Sequence, residues 1–179
     1  MYSLEQRQYP IGKFHFPENS NAQPDPALLA DWIAQLEAFP QALRLMVGPM
    51  SPEQLDTPYR PGGWAVKQVI HHLADSHLNA YIRIKLILTE EQPLVKPYDE
   101  ARWAELADAQ STEIAASIAI LEGIHQRMVA ALRALSPADF ERTFRHPEYS
   151  EARSLAYLTA LYAWHGRHHL AQIALILEP

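Results

Sequence analysis

Four long segments of this chain repeat apolar side chains at steps of three and four residues, the spacing that places them on one face of an α-helix. The segments cover about residues 26–47, 64–90, 112–135 and 154–177. Asp25-Pro26 opens the first segment with an N-cap residue and a proline at the first helical position. No runs of alternating polar and apolar residues, the pattern typical of strands, lie between the segments. The sequence therefore predicts an all-α protein, a four-helix bundle.

The connections between these segments carry their own signals. Ser51-Pro52-Glu53-Gln54 is a capping-box pattern, and Ser136-Pro137-Ala138-Asp139 is a second helical start, so we expect a short helical turn at each place. Residues 1–24 are rich in proline, asparagine and aromatic side chains and lack helical periodicity. We expect them to form an extended N-terminal arm on the bundle. A length of 179 residues suits one domain, which we expect to span residues 1–179.

A short pattern occurs twice. The stretch from Met50 to Pro61 resembles the stretch from Leu135 to Pro147, and each lies between a helix without a histidine cluster and a helix with one. This arrangement predicts two helix pairs that face each other about a pseudo-twofold axis.

Composition narrows the range of partners. The chain has 21 acidic and 15 basic residues, a net charge of −6, which argues against a sequence-independent nucleic-acid binder and against an anionic membrane surface as partner. It has no cysteine, which excludes disulfides, iron–sulfur clusters and thiolate zinc sites. We find no run of apolar residues long enough to span a membrane and no secretory signal, and we expect a cytoplasmic protein.

Six of the nine histidines lie in two short stretches, in the second and the fourth long helix. His165 and His169 are four residues apart, so both rings project from one helix face and can reach one ion. His168 is also close to His165 in this geometry. A third ligand would come from the second helix, where His71, His72 and His77 are all available. Spacing alone leaves the second and third ligands open.

Most histidines on helices are surface residues or hydrogen-bonded core residues. We expect this of His15, His125 and His146. For His71, His77 and His168 we expect the same, with a supporting role around the metal ligands as the alternative.

Several motifs resemble the DinB superfamily and, within it, the YfiT-like proteins. They occur in the family's order and cover nearly the whole chain: Tyr9 to Phe14, Gly63 to His77, Arg83-Ile84-Lys85, Leu88-Thr89-Glu90, Pro97-Tyr98 and Tyr162 to His169. The resemblance implies a four-helix bundle with a three-histidine metal site. The family's histidine on the second helix follows a tryptophan by eight residues, and an H-x-x-x-H pair lies on the last helix. Carried onto this chain, the pattern implies His72, His165 and His169 as ligands.

The resemblance also implies a function. Members are regarded as metal-dependent hydrolases that act on small molecules, and some relatives transfer a low-molecular-weight thiol such as bacillithiol. The YfiT-like branch is associated with homodimers. A non-catalytic metal-binding stress protein is a further alternative, and so is a plain helical interaction protein without a metal.

Three imidazole ligands leave an open coordination position, as in catalytic zinc sites. We expect one divalent ion per chain, Zn²⁺ or Ni²⁺ first, with Mn²⁺ and Fe²⁺ as alternatives. Such an ion lowers the pKa of bound water to roughly 7, which suits hydrolysis, and would hold a thiol as thiolate, which suits transfer.

Other roles follow from position. Asn79 and Arg83 share the helix face of His72 and could orient a substrate carboxylate, while Asp75 could tune the surroundings of the metal; surface salt bridges are the alternative. Four aromatic residues could line a pocket, although aromatic side chains in a bundle are more often core: Trp64, Tyr98, Trp103 and Trp164.

Overall fold

The computed structural model describes residues 2–17, 24–111 and 113–177. In chain order its helices are α1 (Leu4–Gln8), α2 (Pro26–Val47), α3 (Pro52–Asp56), α4 (Val66–Thr89), α5 (Glu100–Trp103), α6 (Ala107–Ser111), α7 (Ile114–Arg133) and α8 (Leu155–Ala174). A 3₁₀ helix covers Pro137–Glu141, and two short antiparallel strands, β1 (Thr143–Phe144) and β2 (Arg153–Ser154), precede α8.

The four long helices, α2, α4, α7 and α8, form the bundle. Around it α4 contacts α7, α7 contacts α2, α2 contacts α8, and α8 contacts α4. Buried apolar side chains fill the space between them in two adjoining clusters, with Leu36 and Leu132 in one and Leu73 and Leu121 in the other. The prediction of an all-α four-helix bundle is confirmed.

Helix ends follow local chemistry. Asp25 Oδ1 accepts a hydrogen bond from Ala27 N at 2.8 Å, so the predicted N-cap of α2 is confirmed. The second helix begins at Val66, two residues later than the sequence predicts. Ala65 takes the N-cap position there, and its N–H donates to Gln68 Oε1 at 3.0 Å. Ala65 also forms a β-bridge with Pro58, which holds the residues before α4 in an extended conformation.

The repeated pattern corresponds to repeated structure. Ser51 and Ser136 each start a short helical turn, and each turn leads to a small antiparallel pairing just before a histidine-bearing helix. Equivalent backbone bonds close the two pairings: Val66 N donates to Thr57 O at 3.2 Å, and Leu155 N donates to Arg142 O at 2.8 Å. The two halves of the chain thus use the same order of elements.

The N-terminal arm differs from the extended conformation expected of residues 1–24. Residues 4–8 form α1, because Ser3 and Gln6 make a capping box that satisfies two free backbone N–H groups. Beyond α1 the arm packs on α8, where Phe14 contacts the rings of Tyr157 and Trp164. Part of the expected arm, residues 18–23, lies outside the described residues.

Within the described ranges, the helices are all too short or too polar to serve as a membrane span.

Candidate metal centre

Three histidine side chains converge between α4 and α8. His165 Nε2 lies 3.3 Å from His72 Nε2 and 3.2 Å from His169 Nε2, and one ring nitrogen of each residue falls within 4.8 Å of the other two. Nitrogen atoms bound to one zinc ion at about 2.0–2.1 Å must come this close to one another. The donor set therefore fits a divalent ion of the kind that imidazole binds.

Packing separates these histidines from their neighbours. His71, one residue from His72, turns toward α7, where its Nδ1 lies 2.7 Å from Ser117 Oγ. His168, one residue from His169, stacks on Trp164 with ring centroids 4.6 Å apart. Neither His71 nor His168, two of the alternatives that helical spacing left open, is therefore part of the converging group.

Burial favours the neutral form of all three rings. It lowers the pKa of His72 to about 4, with His168 adding to the effect. It lowers the pKa of His165 and of His169 well below the usual value, and the neighbouring rings of the cluster act in the same direction. A neutral imidazole is the form that binds a metal ion, so at neutral pH all three rings are in the form that can do so.

Gln172 orients one of the three rings. Its Oε1 lies 2.8 Å from His169 Nδ1, and a carboxamide oxygen can only accept, so His169 Nδ1 carries the proton and Nε2 keeps its lone pair. The Gln172 amide group donates to Gln8 O at 2.8 Å and to His168 Nε2 at 3.0 Å. The N-terminal arm is thereby tied to the cluster.

A cavity of about 350 Å³ adjoins the cluster and reaches all three histidines. Its other lining side chains are mainly aromatic and polar: Gln8, Tyr9, Tyr59, Trp64, Ser76, Tyr98, Glu100, Trp164, His168 and Gln172. For Trp64, Tyr98 and Trp164 the sequence left a pocket or the core open, and all three line this cavity, whereas Trp103 lines a separate cavity nearby. Sequence reasoning missed Glu100, which no periodic pattern marks because it lies in a short helix of a connection.

The three candidate polar residues on α4 lie outside the described lining of this cavity. Asn79 donates to the Asp75 carbonyl oxygen of its own helix at 2.9 Å. Arg83 donates to Lys96 O at 3.0 Å and reaches Tyr162, whose hydroxyl lies 3.5 Å from Ser76 Oγ in the cavity wall. Burial raises the pKa of Asp75 to about 6, and Asp108 adds to the rise.

Close contact with Phe39 explains why α8 has Gly166 where an H-E-x-x-H motif would have a glutamate. A Cβ atom at this position would lie 2.8 Å from Phe39 Cδ2, so α8 and α2 approach each other over a residue without a side chain. The Phe39 ring in turn stacks on His77 at 5.1 Å. Close packing at Gly166 therefore supports the inner side of the histidine cluster.

We expect Gly166→Ala to lower the free energy of unfolding by about 1–3 kcal/mol, because overpacking outweighs the better helix propensity of alanine. Gly123→Ala on α7 is the matched control, since its added Cβ meets no atom within 4 Å. The control should raise the free energy of unfolding by up to about 1 kcal/mol. Urea denaturation of the two variants measures both effects, and equal stabilisation by both would contradict the packing at Gly166.

Several known proteins are similar to this chain in sequence. A "Putative metal-dependent hydrolase" of Oceanobacillus iheyensis is 52% identical over 93% of this chain and 93% of its own. A second protein of that designation, YfiT of Bacillus subtilis, is 48% identical over 92% of this chain and 90% of its own.

A solved structure is similar as well. YfiT from Bacillus subtilis, described as "a probable metal-dependent hydrolase with an unusual four-helix bundle topology", superposes with a TM-score of 0.90 at 44% identity. The match covers 96% of this chain and 95% of that one. Residues 35–173 of this chain match the DinB superfamily. The chain belongs to the DinB superfamily, among its YfiT-like members.

Proposed function

We propose that this protein is a metal-dependent hydrolase that acts on a small molecule, with His72, His165 and His169 as ligands of one divalent ion. The observation that carries the proposal is the convergence of three neutral imidazole nitrogens beside an open cavity. Two relatives with this designation are 48% and 52% identical to this chain, and the similarity covers at least 90% of each protein. Their designation supports the proposal. Zn²⁺ and Ni²⁺ are both ions that imidazole ligands suit. A homodimer remains a prediction from the resemblance, and a cytoplasmic location remains a prediction from the composition and the lack of a secretory signal.

When bound, the ion would supply a Lewis acid that makes water nucleophilic near neutral pH. The chain's own groups would do the rest. Glu100 is the carboxylate among the described lining residues, and we assign it the role of taking the proton from the attacking water and passing it to the leaving group. Burial raises the pKa of Tyr98, so its hydroxyl stays protonated and can donate to a substrate oxygen.

The cavity shape argues for a small, partly apolar substrate. Five aromatic side chains line it, and its volume of about 350 Å³ lies at the lower end of the range for ligand sites. An open cavity at the ligands also favours a catalytic over a purely structural site, because structural zinc sites close all four positions with protein.

The experiment is a hydrolysis assay with the zinc- or nickel-loaded protein and a panel of small esters and amides. We expect Glu100→Gln to lower kcat by about 10²–10⁴-fold, the usual contribution of a general base. Glu105→Gln is the control, since Glu105 lines the neighbouring cavity and not this one. Equal rates for both variants would contradict the role of Glu100.

The same assay separates hydrolysis from thiol transfer. Parallel reactions contain a low-molecular-weight thiol with the electrophile monochlorobimane. Turnover of esters or amides without thiol supports the hydrolase proposal. Turnover that requires the thiol, with none by water alone, would overturn it in favour of the transferase alternative.

A further inference from the structure

A line of three histidines runs from the metal centre into the bundle. His165 Nδ1, on the side of the ring opposite the cluster, lies 3.2 Å from His77 Nε2. His77 Nδ1 lies 2.8 Å from His125 Nε2, and His125 Nδ1 lies 2.6 Å from the carbonyl oxygen of Leu36. The line therefore joins α8, α4, α7 and α2, one contact at a time. We call it the histidine relay.

The last contact sets the direction of all the others. A carbonyl oxygen can only accept, so His125 Nδ1 must carry the proton and donate it. A neutral His125 then has a lone pair on Nε2, which requires His77 Nδ1 to be the donor in the next contact. A neutral His77 that donates from Nδ1 has its lone pair on Nε2. That lone pair accepts from His165 Nδ1, which therefore carries the proton of His165. His165 Nε2 is left with its lone pair, and this is the atom that faces His72 and His169.

The relay has little freedom to reverse. His77 and His125 are 0% and 1% exposed, so no water replaces a lost partner. The two ring centroids lie 4.9 Å apart with an angle of 26° between the ring planes, and the Phe39 ring contacts both of them, at 5.1 Å from His77 and 5.3 Å from His125. A reversed ring would leave the Leu36 carbonyl without a donor and a buried N–H without an acceptor, at about 1–3 kcal/mol for each unsatisfied group.

We propose that His77 and His125 are positioning residues that hold His165 in the one tautomer and orientation in which its Nε2 can bind the metal ion. The inference rests on the proposed metal centre. It assigns a purpose to two buried histidines that are not ligands themselves. It also explains why His165, unlike His169, needs no neighbour on its own helix to orient it. Partners of this kind behind a ligand typically change metal affinity by 10–100-fold.

Three variants test the proposal. His125→Phe keeps a ring in the core but removes both the donor and the acceptor of the relay. His125→Gln is the conservative variant, because a carboxamide can donate to Leu36 O and accept from His77 Nδ1 in the same direction. Ser117→Ala is the matched control. It removes a hydroxyl on α7 that contacts His71 on α4, so it changes the same pair of helices but lies outside the relay.

Two measurements are made on each protein. The first is the zinc dissociation constant by competition with a chelator. The second is the tautomer of His165 in the metal-free protein, from ¹⁵N-edited NMR spectra, which a merely structural role would not change. We expect wild type, His125→Gln and Ser117→Ala to show the proton of His165 on Nδ1. His125→Phe should show mixed tautomers and a zinc dissociation constant raised about 10–100-fold, with His125→Gln much closer to wild type.

Several outcomes would overturn the proposal. One is a folded His125→Phe protein that binds zinc as tightly as wild type; another is a wild-type His165 with its proton on Nε2. An equal loss of affinity in Ser117→Ala would show that packing alone is responsible. If His125→Phe does not fold, the tautomers of wild type and His125→Gln decide. A wild type that binds no zinc or nickel at all would instead overturn the metal centre, whatever the tautomers show.

Discussion

Alanine at His72, His165 or His169 is expected to abolish stoichiometric metal binding and the thermal stabilisation that comes with it. An ion that binds only the folded chain at a thousand times its dissociation constant adds about 4 kcal/mol to the free energy of unfolding. For a chain of this size that corresponds to a rise in Tm of roughly 8–16 °C. Each alanine variant leaves two ligands, so we expect the metal-dependent rise to disappear in all three.

The measurement is metal content by mass spectrometry on untagged protein, together with Tm with and without added zinc. His168→Phe is the control, because it keeps the ring that stacks on Trp164 and removes a histidine beside the ligands. We expect this control to retain one ion per chain. A wild type without bound metal after dialysis against zinc and nickel would contradict the site, and loss of metal in His168→Phe alone would move a ligand to that residue.

The second large effect is acid unfolding of the metal-free protein. Burial lowers the pKa of His72 and of His125 to about 4. The unfolded chain, with histidines near the ordinary value of about 6.5, binds more protons than the folded chain between these two pH values. Stability supplied by the neutral rings is therefore complete above about pH 6.5 and is lost as the pH falls toward 4.

The size of this effect follows from linkage. For His72 and His125, the fall in pKa from 6.5 to about 4 contributes on the order of 3 kcal/mol each to the free energy of unfolding at neutral pH. Burial also lowers the pKa of His77, His165 and His169, which adds in the same direction. Because a typical domain has only about 5–15 kcal/mol in total, we expect the metal-free protein to unfold between about pH 6 and pH 4.

One group opposes this trend. Because the pKa of Asp75 is raised to about 6 in the folded chain, the folded chain binds more protons at this residue than the unfolded chain does below that pH. The contribution of Asp75 to the free energy of unfolding therefore grows as the pH falls from about 6. Asp75 is half-buried and is a single group against several histidines, so the free energy of unfolding still falls as the pH is lowered. Urea denaturation at pH 7.5, 6 and 5 measures it, with His15→Gln as the control, since His15 is exposed. A free energy of unfolding that stays constant over this range would contradict the buried neutral cluster.

The bundle follows closely from the sequence, because helices depend on local patterns. The N-cap at Asp25 and the three- and four-residue apolar spacing gave the start and the end of α2. The helix in the arm was missed although Ser3 and Gln6 carry a capping-box pattern, since five residues are too few to show periodicity. The start of α4 was placed two residues early because the bridge of Ala65 to Pro58 is a contact across a loop.

The candidate site shows the same difference between features set by local pattern and features set by tertiary packing. Helical geometry alone puts His165 and His169 on one face, and comparison of motifs adds His72. Helical geometry could not choose between His71 and His72, since the choice depends on how α4 is rotated against α7 and α8. His125 falls on the buried stripe of α7, four residues after Leu121, a spacing that marks it as a core residue. Its partner Leu36 is 89 residues away, and no local pattern connects the two.

Local patterns in the sequence were enough to predict the four long helices, the N-cap of α2, the absence of cysteine ligands and the pair of histidines on α8. Each depends on residues a few positions apart, where the 3.6-residue period and hydrogen-bonding chemistry decide the outcome. Tertiary packing was needed for the lining of the cavity beside the histidines, the close approach of Phe39 to Gly166 and the direction of the histidine relay. Those features depend on the rotation and spacing of whole helices, which the packing of the complete core sets.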